Sequence, residues 1–166
     1  ANAGYRVVAP DLVGFGRSDK PTEQSDYTYA RHVEWMRQLL FEHLGLEGIT
    51  LFGQDWGGLV GLRLVAEHPH RFDRVCVANT GLPVGTGATD AFKMWRDFAA
   101  SVERFEAGSI VNGGSLSELP PDVIAAYDAP FPDESYTAGA RAFPSLVPME
   151  PDDPAVPDNV AVWETL

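Results

Sequence analysis

The residue with the clearest chemical prospect is Asp55, in the stretch ITLFGQDWGGLVG at positions 49–61. Gly53-Gln54-Asp55-Trp56-Gly57 sets a carboxylate between two glycines, at the spacing of a strand-to-helix turn that exposes a nucleophile at its apex. The glycines let the strand and the following helix approach, and let the turn hold strained angles. The helix that follows points its positive end at Asp55 and favours the ionised carboxylate. A plainer alternative makes Asp55 only the cap of that helix. A cap by itself needs no glycine two residues before it, nor Gly57-Gly58 after it.

An aspartate at such an apex implies a particular reaction. Serine attacking a carbonyl forms an ester that water can cleave, whereas serine attacking saturated carbon forms an ether, a dead end. A carboxylate attacking saturated carbon forms an alkyl ester, which water can hydrolyse at the enzyme's own carbonyl. The chemistry expected of Asp55 is therefore displacement at sp3 carbon, with a halide or an opened epoxide oxygen as leaving group.

The surrounding pattern supplies elements to position this turn. YRVVA at 5–9 predicts a strand stopped by Pro10. Tyr29, Val33, Met36, Leu40 and Leu44 recur at helical spacing and predict a helix over 28–44, ended by Gly45. Strands are expected at 49–53 and 74–80, with a helix over 57–68 between them. Such alternation means βαβ units and a mostly parallel sheet flanked by helices, an α/β class. Three strands are few for a domain of this kind. The opening ANAGYRVVAP reads as a cut end, so the first strands and the C-terminal strands are expected to be missing.

After Leu82 the rhythm changes to helices punctuated by prolines: a helix over 90–105, glycine- and serine-rich sequence at 108–115, then PPDVIAAY, SYTAGARAF and DNVAVWETL. The division expected is a core over 1–82 and a helical cap over 83–166. The proline-rich run at 148–157 is too short and mixed for a recognition motif, and no internal repeat is present.

Composition narrows the partners. With 24 acidic against 12 basic residues the formal charge is -12, which disfavours nucleic acid and anionic membrane surfaces. The single cysteine, Cys76 in RVCVAN, permits no internal disulfide and is expected to be a buried strand residue. No apolar run has membrane-spanning length, and the opening residues have no signal-peptide pattern. The expected location is the cytoplasm.

GQDWGG, preceded by APDLVGFGRSDKP and followed by HPHRFDRVCVANTG, resembles the haloalkane dehalogenases of the α/β-hydrolase superfamily. The segments FKMW, YDAPFPDESY and ARAFPSLV after residue 90 resemble that family too, so the likeness runs the whole chain. It is strongest to the branch typified by the enzyme acting on 1,2-dichloroethane. The D-W-G core alone is shared with epoxide hydrolases. The resemblance implies an α/β-hydrolase fold with an all-helical cap, and Asp55 as nucleophile. It implies Trp56 and Trp95 as halide-binding residues through their indole N–H groups, and the Trp56 backbone N–H as an oxyanion donor. Leu59, Phe92, Phe143, Pro144 and Val147 match positions lining an apolar substrate cavity; Leu59 stands where that branch has phenylalanine. The implied partners are a small apolar halogenated substrate, water and halide, with no cofactor and no metal, and a monomer when complete. Judged from the residues alone, Trp95 beside Phe92 and Phe98, and Phe143, would be read as cap core.

Hydrolysis of the ester needs a base. The resemblance implies a histidine late in the chain and an acid after a late strand, and neither position falls in this sequence. Of His32, His43, His68 and His70, His68 lies twelve residues beyond Trp56 along the elbow helix, about 18 Å away. All four are expected to be surface or helix-end residues. Asn79 occupies the place where related branches carry the acid. The isolated chain is therefore expected not to turn over.

Rival readings are weaker. Epoxide hydrolysis through the same elbow would use Tyr127 and Tyr136 as donors to the epoxide oxygen. Gly14-Phe15-Gly16 lacks the third glycine of a dinucleotide loop and leads into SDKP rather than a helix. A non-catalytic binding relative is disfavoured by Asp55 with two matched tryptophans, and His68-x-His70 is a weak metal signal.

Overall fold

The computed structural model describes residues 2–166. Strands β1 (Ile49–Gln54) and β2 (Phe72–Ala78) lie parallel, paired from Thr50 with Arg74 to Gln54 with Ala78. They are joined by helix α2 (Trp56–Glu67) and a 3₁₀ turn at Pro69–Arg71. This is the βαβ unit that the alternation predicts. Because the paired strands end in register, the residues that follow them emerge side by side.

Helix α1 (Tyr29–Arg37) begins where the Thr28 hydroxyl accepts the Arg31 N–H at 3.1 Å, a standard N-terminal cap. The predicted helix does run on toward Leu44, but Gln38–His43 winds as a π-helical turn, with the Leu44 N–H donating to the Leu39 carbonyl. Gly45, at φ +56°, ends it. Tyr29, Val33, Met36 and Phe41 pack against Leu59, Val60 and Leu64 of α2, forming the main buried core.

Two expectations about the strands fail. Residues 5–9 form no strand: among the described residues no neighbour offers them a ladder, and Tyr5, Val7 and Val8 are exposed. Extended chain without a partner leaves its backbone groups to water. Cys76 is a free, exposed thiol rather than a buried one. An apolar strand run implies burial on both faces of a parallel sheet, yet Phe52, Val75 and Val77 on these strands are exposed as well, with no layer covering them among the described residues.

Beyond β2, residues 79–89 carry no regular element and lead to helices α3 (Asp90–Ser101), α4 (Ala107–Gly113), α5 (Pro121–Asp128), α6 (Ala138–Ala142) and α7 (Val156–Trp163). Two 3₁₀ turns, Glu134–Thr137 and Phe143–Leu146, flank α6. Helix α3 stops at Ser101, short of the predicted 105, because Val102 is extended. Helix α4 occupies sequence that reads as irregular. Its first turn is satisfied at long range, the Gly108 N–H donating to the Asp128 carboxylate at 2.7 Å, a cap that local patterning cannot reveal.

Helix α7 returns to the α2 end of the molecule. Arg63 of α2, almost fully buried, donates to Glu67 at 2.6 Å and to Asp158 at 3.0 Å. Asn159 donates to the Pro83 carbonyl at 2.8 Å and the Trp163 indole to the Leu82 carbonyl at 2.9 Å. These bonds hold the helical section over the strand ends. No described helix is long and apolar enough to cross a membrane.

Candidate active site

Asp55 follows β1 directly and adopts φ +50° and ψ −126°, a conformation that a side chain other than glycine's makes costly. Backbone bonds hold it there. Its N–H donates to the Asn79 carbonyl at 3.3 Å, while its carbonyl accepts the Gly58 N–H at 2.9 Å and the Thr80 hydroxyl at 2.7 Å. The carboxylate accepts the Trp56 N–H at 2.7 Å. One oxygen is thus fixed by the first amide of α2, and the acid remains exposed.

The glycines that make the turn possible are not the pair expected. A Cβ on Gly53 would sit 2.9 Å from the Gly57 carbonyl oxygen and 2.9 Å from the Gly58 Cα, closer than carbon tolerates. A Cβ on Gly58 would run into the Thr80 side chain, whereas one on Gly57 meets nothing. Gly53 and Gly58 are the close approaches, because the Thr80 side chain that bonds Asp55 lies against the second residue after Trp56.

Asp55 opens into an apolar cavity of about 730 Å³. Trp56 and Leu59 line it from α2, Phe92 and Trp95 from α3, and Phe143, Pro144 and Val147 from the turn after α6. The eight candidate side chains therefore share one space. Phe143 is buried, edge-on to Phe15 at 4.4 Å and tilted against Trp56 at 4.6 Å. Trp95 is not core: it is 36% exposed, and Ala99 is the one buried residue described in α3. The remaining tryptophans lie off this lining, and the Trp163 N–H is already committed to a carbonyl.

Several lining residues escaped the sequence reading. Phe15, from the GFG loop, and Phe105, just past α3, close the cavity. Phe15 has no periodic neighbours that would mark its face, and Phe105, at helical spacing from Phe98 and Val102, reads as part of a helix that in fact stops at Ser101. Gly14, at φ +96°, packs on the Tyr27 ring, so the loop presents Phe15 and is a structural turn. Tyr127 lines the cavity, but Tyr136 is not among its walls; the pair proposed for an epoxide oxygen is not brought together there.

The histidines divide. His43 and His70 are exposed, and His68 ends α2 against Phe41. His32, expected at the surface, is instead fully buried within α1, and burial pushes its pKa down to about 4. The periodicity that marks Tyr29, Val33 and Met36 as core places His32 beside them, a signal that its polarity obscured. Among the described residues no His, Cys, Asp and Glu group could hold a metal ion.

An α/β-hydrolase-fold model matches residues 1–112. The chain is 58% identical to haloalkane dehalogenase 1 of Mycobacterium tuberculosis over 99% of its own length and 55% of that protein. It is 56% identical to a haloalkane dehalogenase of Psychrobacter cryohalolentis, over 97% of its length and 53% of the relative. Among solved structures, a tetrameric haloalkane dehalogenase from Paraglaciecola agarilytica superposes with a TM-score of 0.86 at 38% identity, covering 98% of this chain and 54% of that one. The chain thus spans about half the length of the proteins it matches.

Proposed function

The chain belongs to the α/β-hydrolase fold family, and on that premise we propose that the full-length protein cleaves carbon–halogen bonds of small haloalkanes, releasing halide and an alcohol. Residues 1–82 are its core portion and 83–166 its cap. The observation that carries the reading is the Asp55 carboxylate, held on the Trp56 N–H at 2.7 Å and facing an apolar cavity that Trp56 and Trp95 also line.

In the first step the free Asp55 oxygen attacks the halogen-bearing carbon. The C–O bond forms as the C–halogen bond breaks, and the halide leaves with the bonding pair. Indole N–H is a donor only, so Trp56 and Trp95 suit an anion that gathers charge in the transition state, where stabilisation raises the rate. The dry walls strip water from the attacking carboxylate. In the second step water adds to the Asp55 ester carbonyl, its proton taken by a histidine outside the four of this sequence. The Trp56 N–H steadies the oxyanion. Its collapse breaks the ester C–O bond to the alkyl group's oxygen and restores the Asp55 carboxyl, and the departing alkoxide takes the proton back from that histidine to leave as the alcohol. No cofactor enters this scheme. The full-length protein acts as a cytoplasmic monomer; gel filtration separates that state from the tetramer described for the Paraglaciecola relative.

The test is halide release from 1,2-dichloroethane and 1-bromobutane by the full-length protein, alongside Asp55→Asn. Release by the parent and loss in the variant supports the reading. A folded parent that releases no halide from either substrate contradicts it and turns attention to styrene oxide, for which Tyr127 is the one tyrosine on the described cavity wall.

A further inference from the structure

His32 is the one buried side chain described whose ring nitrogens have no hydrogen-bond partner. An unsatisfied buried polar group is destabilising, a cost that a phenylalanine or leucine at the same place would not carry. Such an exception in an otherwise consistent core points to a task.

Its neighbours indicate which task. The imidazole stands perpendicular to Phe143, with centroids 4.7 Å apart at 84°, and perpendicular to Trp35 at 5.0 Å and 88°. It lies tilted to Trp56 at 6.4 Å. Trp56 and Phe143 both line the cavity. Tyr29, one turn before His32 on the same face of α1, stands perpendicular to Trp56 at 5.4 Å and anchors its hydroxyl on the Leu59 carbonyl at 2.7 Å. One helix face thus packs on the Trp56 indole, and His32 on that face also lies against the ring of Phe143.

Perpendicular aromatic pairs set a ring edge against a ring face. An imidazole offers an N–H edge that is more strongly polarised than a C–H edge, and N–H···π contacts favour particular orientations. A neutral imidazole in this box can therefore fix ring angles that a phenyl or isobutyl group leaves loose. We propose that His32 is a positioning residue for the halide site, holding Trp56 and Phe143 at the angles that aim the Trp56 N–H at the departing halide. This rests on the dehalogenase reading of the same cavity.

The experiment compares the full-length parent with His32→Phe and His32→Leu. It measures bromide affinity from saturable quenching of tryptophan fluorescence, kcat and KM for 1-bromobutane, and the thermal midpoint. The expected result is a midpoint equal to or above the parent's in at least one variant, with bromide affinity and kcat both lowered by about tenfold and KM moved less. A purely structural histidine would give unchanged affinity at raised stability. Bromide affinity within twofold of the parent in a folded variant overturns the proposal, as does failure of both variants to fold, which assigns His32 to packing alone. A parent that neither binds bromide nor releases halide overturns the dehalogenase reading and this inference with it. A parent that does both, with variants that match it, overturns this inference only.

Discussion

Asp55 and Asn79 stand side by side at the ends of parallel strands, both at positive φ, with the Asp55 N–H donating to the Asn79 carbonyl at 3.3 Å. The strained turn at Asp55 is thus braced by another strained turn at the end of the adjacent strand, and the Thr80 hydroxyl adds a second support at the Asp55 carbonyl. Strain of this kind persists when the surroundings over-determine it. The carboxylate is aimed by backbone, with one oxygen held on the Trp56 N–H and the other left free.

The neighbouring glycines separate this account from a simple helix cap. Gly58→Ala drives a methyl into Thr80, and should cost about 1–3 kcal/mol through overpacking and disturb the Asp55 carbonyl contact. Gly57→Ala meets open space and should be neutral, or stabilising by up to about 1 kcal/mol through helix propensity. Urea unfolding of both variants of the full-length protein checks the contrast.

Leu59 is a buried wall residue directly past the elbow. Leu59→Phe adds volume to a close-packed position and shortens the space in front of Asp55. Discrimination against 1-bromohexane relative to 1,2-dichloroethane should rise by about tenfold in kcat/KM, the order that hydrophobic pockets achieve for small changes in fit. Steady-state halide release across a chain-length series measures it.

His32 gives a defined pH dependence of stability. Its folded pKa lies near 4 because burial opposes the charged ring, while in the unfolded chain it titrates near 6.5. Between those values the unfolded state binds a proton that the folded state does not, so stability falls as pH drops from about 6.5 toward 4. Parent and His32→Phe should therefore diverge across that window, the variant gaining up to about 3 kcal/mol relative to the parent by pH 4. Paired denaturation curves at pH 7, 5.5 and 4 read the difference directly.

The sequence made the elbow legible because its signals are local: a strand, glycines at short spacing, a carboxylate and a helix. Periodicity likewise revealed α1 and α3, and alternation of strand and helix revealed α2. What stayed hidden depends on distant partners. Helix α4 relies on Asp128 twenty residues away, and Phe15 becomes a cavity wall only because the GFG loop packs on Tyr27. His32 is expected at the surface because its side chain is polar, yet its spacing from Tyr29 and Met36 puts it on the buried face. Cys76 and strand 5–9 show the reverse error: apolar runs imply a cover or a pairing partner, and none is present among the described residues. For the site, Asp55 and the residues named by resemblance could be listed from the sequence, and they line one cavity; the roles proposed for them await the experiments above. Gly58, Phe15, Phe105 and His32 take their places through contacts between segments far apart in the chain.

The central claim is that Asp55 itself becomes the ester. A single turnover of 1-bromobutane by excess full-length enzyme in ¹⁸O-labelled water tests it directly. Because water attacks the ester at the enzyme's carbonyl, the account predicts unlabelled 1-butanol and a peptide containing Asp55 that is heavier by about two mass units. Label in the alcohol, with none in that peptide, would mean that water attacks the substrate carbon itself and that Asp55 is not the nucleophile.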